Sequence, residues 1–314
     1  MSLSSPELAS SGVHTRAVPR RQPSTRLACP LCQGPMLRLF IRHGYWISGC
    51  VDCGHRAAEI KPSADHVSRI YADNYFYGGG AGYADYASEA KLLRAHGRRY
   101  ADLLSRYMPP GKVLDVGAAG GFVLEGLMEK GWTGAALEPN ACMAASARQR
   151  LGIDVWNTTL EEFRSPQQFD LIIMIQVIAH FVRPQDALAA ATAVTRPGGF
   201  WLIETWDRDS WMARLFGKRW HEYSPPSVLH WFSKPGLRQL AGQFGFRDLA
   251  HGRPAKRLNA GHAKSLLEYK LRRGKLGKLV APALRLVPDD LSLPYPSFDL
   301  FWSLFQDAKE SHQS

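Results

Sequence analysis

The stretch that decides the fold is Lys112-Val113-Leu114-Asp115-Val116-Gly117-Ala118-Ala119-Gly120-Gly121-Phe122. Its first residues form a short apolar run, which is typical of a strand buried on both faces. The glycines interrupt this run, and apolar residues then recur at helical spacing. The order of strand, glycine turn and helix directs the first backbone N–H groups of the helix towards a ligand. The stretch therefore predicts an α/β sheet with a ligand site at this turn.

Two carboxylates extend this prediction. Asp115 lies at the carboxyl end of the strand, where open α/β sheets bind ligands. A second strand is predicted over 133–137, and Glu138 ends it 21 residues beyond Gly117, a spacing typical of a carboxylate that holds a ribose. A dinucleotide fingerprint would have glycine where Ala119 stands, and Asp115 would repel a pyrophosphate. The pattern indicates a nucleoside ligand that carries a positive charge.

The segment Asp115–Gly121 resembles the D-V-G-x-G-x-G pattern of class I S-adenosylmethionine-dependent methyltransferases. The resemblance covers about 65–305 and is greatest to the small-molecule group similar to ubiquinone-biosynthesis O-methyltransferases. It implies a Rossmann-like, seven-stranded, mostly parallel sheet with helices on both faces, preceded here by a small zinc-ribbon module. Ala119 departs from the pattern; its Cβ is tolerable if φ is negative, but it narrows the approach to the turn. The cofactor contacts that the resemblance implies are Asp115, Gly117, Ala118, Gly120, Glu138, Pro139, Gln176 and Tyr86.

Four cysteines carry a second signal. Cys29-x-x-Cys32 and Cys50-x-x-Cys53 are separated by 17 residues, which matches four-cysteine zinc sites. Four thiolates leave no open position on the metal, so this Zn²⁺ would be structural. Two disulfides or free thiols are the alternatives. Cys142 falls on a predicted helix of the main domain and is expected to be buried.

A cysteine-rich module before a methyltransferase domain has two familiar counterparts. It resembles the N-terminus of sugar, cell-envelope and natural-product methyltransferases. It also resembles the zinc finger of ribosomal-RNA guanine methyltransferases, which begins Cys-Pro-Leu-Cys. In that group the second half normally ends in Cys and His at wider spacing, unlike Cys50–Cys53. The comparison favours a small-molecule acceptor over RNA.

An aromatic segment leads into the main domain and resembles the part of these methyltransferases that closes over the cofactor. Its aromatic residues are Tyr71, Tyr75, Phe76, Tyr77, Tyr83 and Tyr86. A helical stripe follows, on which Arg98 or Arg99 is placed to pair with the cofactor's carboxylate. The alternative is an aromatic core patch with solvated arginines.

The predicted fourth strand, 169–175, is wholly apolar and hence central. The next residues, Gln176-Val177-Ile178-Ala179-His180, resemble the family's D-V-L-E-H segment. This resemblance places His180 beside the transferred methyl group, where an imidazole can act as a general base. The alternative is a histidine that packs under the loop. Thr159 stands where the family has an acid that reads adenine, and Glu161 or Glu162 are possible substitutes.

The part of the site that binds the methyl acceptor is predicted from the segment that follows the fifth strand, 200–205. Residues 206–232 form an insertion rich in aromatic residues and arginine, which we expect to be a lid over the acceptor. The candidate acceptor contacts in it are His221, Glu222, Tyr223 and His230. A helix over 234–244 and a last, antiparallel strand over 298–304 complete the predicted sheet.

The chain has 314 residues, of which 45% are hydrophobic, and a net charge of +11, and its composition changes along its length. We expect a disordered arm over 1–28, a zinc ribbon over 29–60, the methyltransferase domain over 65–250 and a basic helical segment with the final strand over 251–314. The stretch 251–288 carries ten Lys or Arg and one acid, Glu268, and would suit nucleic acid, an anionic membrane surface or plain solvent. No apolar run is long enough to cross a membrane and no signal-peptide core is evident, which predicts a cytoplasmic protein.

The sequence is compatible with three functions. The first is methylation of a small molecule, at oxygen more readily than at carbon or nitrogen, in the biosynthesis of a natural product or envelope sugar. The second is methylation of ribosomal RNA, although an Asn-Pro-Pro-Tyr motif is absent and 176–179 stands in its place. The third is a non-catalytic cofactor-binding protein. No motif in the sequence identifies the methyl acceptor or the oligomeric state.

Overall fold

The computed structural model describes residues 23–63, 65–77, 86–255, 257–259, 292–294 and 297–309. A small β-module comes first, then three helices, and then a large sheet with helices on both faces. The elements are β1 (Pro23–Ala28), β2 (Pro35–Arg42), β3 (Tyr45–Cys50), β4 (Arg56–Ala58), α1 (His66–Ile70), α2 (Asp73–Tyr77), α3 (Ala90–Leu104), β5 (Lys112–Val116), α4 (Phe122–Met128), β6 (Thr133–Leu137), α5 (Ala141–Leu151), β7 (Val155–Trp156), β8 (Phe169–Ile175), α6 (Pro184–Val194), β9 (Thr195–Trp206), α7 (Trp211–Phe216), β10 (His230–Trp231), α8 (Lys234–Gln243), β11 (Phe246–Gly252), β12 (Arg257–Asn259), β13 (Ser292–Pro294) and β14 (Leu300–Asp307).

The large sheet has seven strands in the order β11-β14-β9-β8-β5-β6-β7. β5 to β9 are parallel, whereas β14 is antiparallel to both β9 and β11. The predicted fold class is therefore confirmed. The chain runs outwards from β5 through β6 to β7 and then crosses back to β8 on the other side of β5. This reversal creates a crevice at the carboxyl ends of β5 and β8, where open α/β sheets bind ligands.

Alternating residues of the central strands face two apolar layers. Leu114 and Ile172 pack in the layer that includes α6 and α8, whereas Val113 and Leu171 pack in the layer of α3, α4 and α5. Both faces of β5 and β8 are thus covered, which explains their continuous apolar runs.

The cysteine-rich module is joined to the main domain through a shared sheet. Its five strands follow the order β1-β2-β3-β4-β10, and β10 comes from the predicted lid. His230 lies opposite Ala57 and Trp231 opposite Arg56, while Ala58 N–H donates to the Leu229 carbonyl at 2.9 Å. The module is therefore anchored on the lid, which its own sequence did not indicate.

Several segments differ from the prediction. Residues 23–28, which composition assigned to a disordered arm, form a strand because they pair with β2; residues 1–22 lie outside the described residues. The fifth strand, predicted over 200–205, begins earlier: β9 starts at Thr195 directly after α6, and its pairing with β8 is irregular at that end. The basic helix expected within 251–288 falls mostly outside the described residues. Within the part of the chain that the structure describes, no helix is long and apolar enough to cross a membrane.

Candidate active site

A cavity of about 860 Å³ opens at the carboxyl ends of the parallel strands. Asp115, Leu137, Ile175 and Trp206 line it from the ends of β5, β6, β8 and β9. Because β14 runs antiparallel, its first residue Leu300 also lies at this edge, opposite Trp206. The volume is within the range of small-molecule sites. The cavity occupies the crevice that the strand order creates.

The glycine turn after β5 forms one wall of the cavity. Gly117, Ala119 and Gly121 have left-handed backbones, with φ of 70°, 47° and 74°. A Cβ at Gly117 would lie 2.8 Å from Val177 Cγ2, so the turn requires glycine there. The negative φ that would ease a Cβ at Ala119 is therefore not found. The left-handed conformation costs a residue with a Cβ about 1–2 kcal/mol, and the bond from Ala119 N–H to Glu138 Oε2 at 2.7 Å helps to offset that cost.

Two buried carboxylates, Asp115 and Glu138, line the cavity. Asp115 is 3% exposed, and its Oδ2 has no hydrogen-bond partner among the described residues. Burial, and then the charge of Glu138, raise the pKa of Asp115 to about 8. Glu138 accepts the N–H groups of Ala119 and Asn140, each at 2.7 Å. Burial raises the pKa of Glu138 to about 7, although these two N–H groups lower it. Asp115 has no cationic partner among the residues that the structure describes, so the floor fits a ligand with a positive charge and hydroxyl donors.

Most of the predicted cofactor residues meet at this cavity. Those that line it are Asp115, Gly117, Ala118, Glu138, Pro139, Gln176 and Tyr86. Gly120 does not line it; its carbonyl accepts a bond from Arg150 Nη2. Thr159 and Glu161 also line the cavity. Glu161 Oε1 accepts Val182 N–H at 3.0 Å and so holds the loop after His180 in place.

Aromatic side chains of the lead-in cover the cavity. Tyr71, Tyr75, Phe76 and Tyr86 line it, whereas the Tyr77 side chain and residues 78–85, with Tyr83, lie outside the described residues. Burial raises the pKa of Tyr75 to about 12, with further contributions from the charges of Glu222 and Glu138, so its phenol stays protonated. The lead-in thus lies between the floor and the lid.

Asn140 ties the lead-in to the end of β6. Its Nδ2 donates to the Tyr71 carbonyl at 2.8 Å and to Asp73 Oδ1 at 3.0 Å, while its Oδ1 accepts Met143 N–H and caps α5. Cys142, expected to be buried, is exposed because it faces Asp73 at the start of α5 rather than the sheet.

His180 lies in the cavity wall between the two halves of the site. Its Nδ1 donates to the Ser227 carbonyl at 2.7 Å, and its ring packs edge-on against Tyr71 and Trp206. Burial lowers the pKa of His180, although the carbonyls of Ser227 and Gln176 favour the protonated ring. The imidazole is therefore neutral at neutral pH, with its hydrogen on Nδ1, which leaves a lone pair on Nε2.

A buried polar network under the cavity was not visible in the sequence. Glu204, on β9, is 0% exposed and accepts bonds from three side chains. They are His96 Nε2 at 2.9 Å, Gln176 Nε2 at 2.7 Å and the Tyr100 hydroxyl. Gln176 holds a φ of 56°, a strained value for a residue with a Cβ. The partners of Glu204 come from α3 and from Gln176, directly after β8, so only the folded chain assembles this network.

The lid side of the cavity contains His221 and Glu222, as expected, together with Asp299 just before β14. His221 Nε2 lies 2.8 Å from Glu222 Oε1 and 4.0 Å from Asp299 Oδ2. These three ligand atoms lie within 4.8 Å of one another, which is a distance that a metal ion can span. Tyr223 and His230, also expected at the acceptor, instead lie buried away from the cavity wall. Asp299 was missed, although an acid just before an antiparallel strand must fall at this edge.

The four predicted metal ligands lie together. The Sγ atoms of Cys29 and Cys53 are 3.6 Å apart and those of Cys32 and Cys50 are 3.4 Å apart, with all four within 4.8 Å of one another. A tetrahedral zinc with Zn–S bonds of about 2.3 Å needs sulfur atoms about 3.8 Å apart. Leu31 N–H and Cys53 N–H also point at the sulfur atoms of Cys29 and Cys50 at 3.5 Å. The donor set and its spacing fit Zn²⁺.

The cysteine-rich module also reaches the cavity. Arg42 and His43, at the tip of the β2–β3 hairpin, line it. Arg42 Nε donates to the Tyr223 carbonyl at 3.2 Å, and Arg56 Nη1 donates to the Tyr223 hydroxyl. The module and the lid therefore form one wall of the site.

Comparison with known proteins agrees with this geometry. The protein family described as "Methyltransferase domain" matches residues 90–251. The ubiquinone biosynthesis O-methyltransferase of Saccharophagus degradans is 26% identical over 148 residues, which cover 40% of this chain and 63% of that protein. The protein of the same name from Klebsiella pneumoniae subsp. pneumoniae is 28% identical over 128 residues, which cover 38% of this chain and 53% of that protein. The chain thus spans less than two thirds of the length of these curated relatives.

A solved structure shares the fold. It is the 1,6-didemethyltoxoflavin-N1-methyltransferase of Burkholderia thailandensis with bound 1,6-didemethyltoxoflavin and S-adenosylhomocysteine. The TM-score is 0.51 at 16% identity, and the match covers 86% of this chain and 98% of that chain. At this identity the likeness concerns the fold alone.

Proposed function

This chain belongs to the methyltransferase domain family, and we propose that it transfers a methyl group from S-adenosylmethionine to an oxygen nucleophile of a small-molecule acceptor. The observation that carries the proposal is the pair Asp115 and Glu138. These buried carboxylates stand at the ends of adjacent strands, face one cavity and have pKa values of about 8 and about 7. A cofactor with an ammonium group and a ribose supplies the partners that they lack.

The cofactor, when bound, supplies an electrophilic methyl group on a sulfonium. Asp115 Oδ2 would hold its ammonium group, and Glu138 would accept the ribose hydroxyls. Pro139 and Thr159, which line the cavity, would border the adenine, and Tyr86 would cover the glycine turn. Ala119 lends rigidity to that turn through its bond to Glu138.

The acceptor would lie under the lid, between His180 and Trp206. Methyl transfer depends mainly on alignment and on exclusion of water. A hydroxyl of high pKa also needs a base, and His180 Nε2 is the atom that we assign to take this proton. The bond from His180 Nδ1 to the Ser227 carbonyl fixes the tautomer and stabilises the ring once it is protonated.

We further propose that Cys29, Cys32, Cys50 and Cys53 hold a structural Zn²⁺ in the cytosol, where thiols stay reduced. The metal would stabilise β4 and, through the β4–β10 pairing, the lid. The zinc would therefore affect the reaction by shaping the part of the cavity that holds the acceptor.

RNA methylation is the competing function. A cavity covered by the lead-in and the lid supports a small acceptor such as a natural-product or envelope-sugar precursor, because a polynucleotide needs an open channel. The two functions differ in salt dependence. An RNA enzyme would lose affinity steeply as salt rises, whereas turnover of a small acceptor should change little.

Calorimetry tests the cofactor assignment. S-adenosylmethionine and S-adenosylhomocysteine should bind with micromolar affinity, and NAD should not bind. Heat from NAD, with none from either sulfur nucleoside, would overturn the proposed function.

A further inference from the structure

Three side chains on the lid side of the cavity have the spacing of metal ligands. His221 Nε2 lies 2.8 Å from Glu222 Oε1 and 4.0 Å from Asp299 Oδ2. In an octahedral site with bonds of about 2.1 Å, adjacent ligand atoms are about 3.0 Å apart and opposite ones about 4.2 Å apart. A tetrahedral ion with similar bonds would place every pair at about 3.4 Å. The two distances therefore fit an octahedral ion.

The charge of this cluster also favours a cation. The side chains of Asp299 and Glu222 are 2% and 12% exposed, and buried carboxylates are normally paired or bound to a metal. Among the residues that the structure describes, His221 is the only basic side chain within ion-pair distance of either carboxylate. A histidine carries at most one positive charge, so two carboxylates share a single basic group.

The fold holds both carboxylate residues in place. Trp220 Nε1 donates to Asp299 Oδ2 at 2.9 Å, and Trp231 Nε1 donates to the Glu222 carbonyl at 2.7 Å. Asp207 N–H donates to the Asp299 carbonyl at 2.7 Å, which joins the start of β14 to the end of β9. A neighbouring donor of this kind orients a ligating carboxylate. The cluster is thus built jointly from the lid and the edge of the sheet.

The cluster lies apart from the cofactor carboxylates. Asp299 precedes β14, and three strand spacings of about 4.8 Å separate β14 from β5, which carries Asp115. Trp206, at the end of β9, lies opposite Leu300, and its ring packs against His180. The cluster therefore borders the acceptor half of the cavity, near the residue that we assign as the base.

We infer that His221, Glu222 and Asp299 bind a divalent cation such as Mn²⁺, which joins the lid to the sheet and offers its open positions to an oxygen of the methyl acceptor. One imidazole and two carboxylates, without a thiolate, suit such an ion, and His221 would bind it as the neutral ring. The role towards the acceptor rests on the proposed function. A hydroxyl bound to the ion loses its proton more readily, so it depends less on the base.

Titration with Mn²⁺ tests this site on the full-length protein as purified. Electron paramagnetic resonance measures free Mn²⁺ in the presence of wild type, His221→Gln, Glu222→Gln and the matched control His251→Gln. His251 Nδ1 lies 3.5 Å from Asp248 Oδ2 in a similar pair, but outside the cavity. Calorimetry measures the affinity of each protein for S-adenosylhomocysteine, with and without Mn²⁺. Thermal unfolding checks that each variant is folded, which is expected for His221→Gln because this side chain is 41% exposed.

The wild type and His251→Gln should bind one Mn²⁺ per chain, saturably and with a Kd below about 1 mM. His221→Gln and Glu222→Gln should each weaken this binding by about tenfold or more, while affinity for S-adenosylhomocysteine changes less than about threefold. Absence of saturable Mn²⁺ binding to the wild type would overturn the inference and leave an ordinary histidine–carboxylate pair.

Two further results separate this inference from the proposed function. Mn²⁺ binding that either His221→Gln or Glu222→Gln retains at full affinity would place the ion elsewhere and overturn the inference, whatever the affinity for S-adenosylhomocysteine. A wild type that binds Mn²⁺ through His221 and Glu222, but binds neither S-adenosylmethionine nor S-adenosylhomocysteine, would support the metal site and refute the proposed function.

Discussion

Replacing Glu138 with glutamine should weaken binding of S-adenosylhomocysteine while changing the stability of the ligand-free protein little. Glu138 accepts two N–H groups at 2.7 Å, from Ala119 and Asn140, whereas glutamine has one accepting oxygen. One N–H group then faces an amide NH₂. A lost hydrogen bond to a charged group costs about 1.5–3 kcal/mol. Burial raises the pKa of Glu138 to about 7, however, so at higher pH the ionised carboxylate itself destabilises the ligand-free fold, and neutral glutamine removes that cost. The two effects oppose each other, and the free energy of unfolding should change little. Loss of the charge beside the ribose should weaken the ligand by about 1–3 kcal/mol, or roughly 5–150-fold.

Asp170 provides a matched control. Its Oδ2 accepts Lys112 N–H at 2.7 Å, but at the amino end of β8, on the opposite edge of the sheet from the cavity. Asp170→Asn should therefore lower stability and leave ligand affinity unchanged. Calorimetry gives the affinities and urea unfolding gives the stabilities. Both are best measured near pH ~8.5, above the pKa of Glu138 of about 7, so that the wild-type carboxylate is ionised.

A deoxyribose analogue of the ligand separates the ribose contact from the loop contact. If Glu138 binds the ribose hydroxyls, Glu138→Gln should weaken binding of the analogue much less than binding of S-adenosylhomocysteine, since the contact is already missing. Equal losses for the two ligands would show that Glu138 acts only by holding the glycine turn. That result would refute the reasoning from its position and spacing.

At about pH 7, S-adenosylmethionine binding should release up to one proton, because Asp115, with a pKa of about 8, must ionise to pair with an ammonium group. Calorimetry in two buffers of different ionisation heat measures the number of protons released, and Asp115→Asn should remove the contribution of Asp115. In the ligand-free protein the same group should lower stability as pH rises from about 4 to about 8, because the folded state retains a proton that the unfolded state has lost. Elemental analysis should find about one zinc in the wild type and none in Cys50→Ser, and this variant should have a lower Tm and faster amide exchange at Trp231. The control Cys142→Ser, at an exposed cysteine, should behave like wild type. Four titratable thiols in the native module would contradict the prediction. His180→Ala should lower kcat by ~10²–10⁴ at unchanged S-adenosylhomocysteine affinity, and less for acceptors of low pKa; a full rate on every acceptor would leave proximity as the mechanism.

Much of the cofactor half was predictable because its signals are local. The strand, glycine turn and helix around Gly117 lie within eleven consecutive residues, and Glu138 follows at a spacing that one βαβ unit dictates. The four cysteines were predictable for the same reason, since each pair lies on a single tight turn. These features depend on neighbours in the chain, so their chemistry can be inferred before the fold is known.

The backbone at Ala119 shows where local inference stopped. The expectation of a negative φ followed from the preference of a residue with a Cβ, but the structure has 47° there. The N–H bond to Glu138, 19 residues away, favours this conformation. A tertiary contact thus outweighed a local preference of about 1–2 kcal/mol.

The acceptor half was decided by tertiary structure. The cysteine-rich module shares a sheet with the lid because β4 pairs with β10, and His55 contacts His230 across 175 residues of chain. Arg99 enters the cavity while Arg98 faces solvent, a difference set by how α3 packs and by the bond from Arg99 Nη2 to His96. Sequence periodicity specifies which face of an element is buried, but not which distant element covers it. The cofactor half was therefore determined by sequence alone, whereas the shape and charge of the acceptor half arose only when these distant segments packed together.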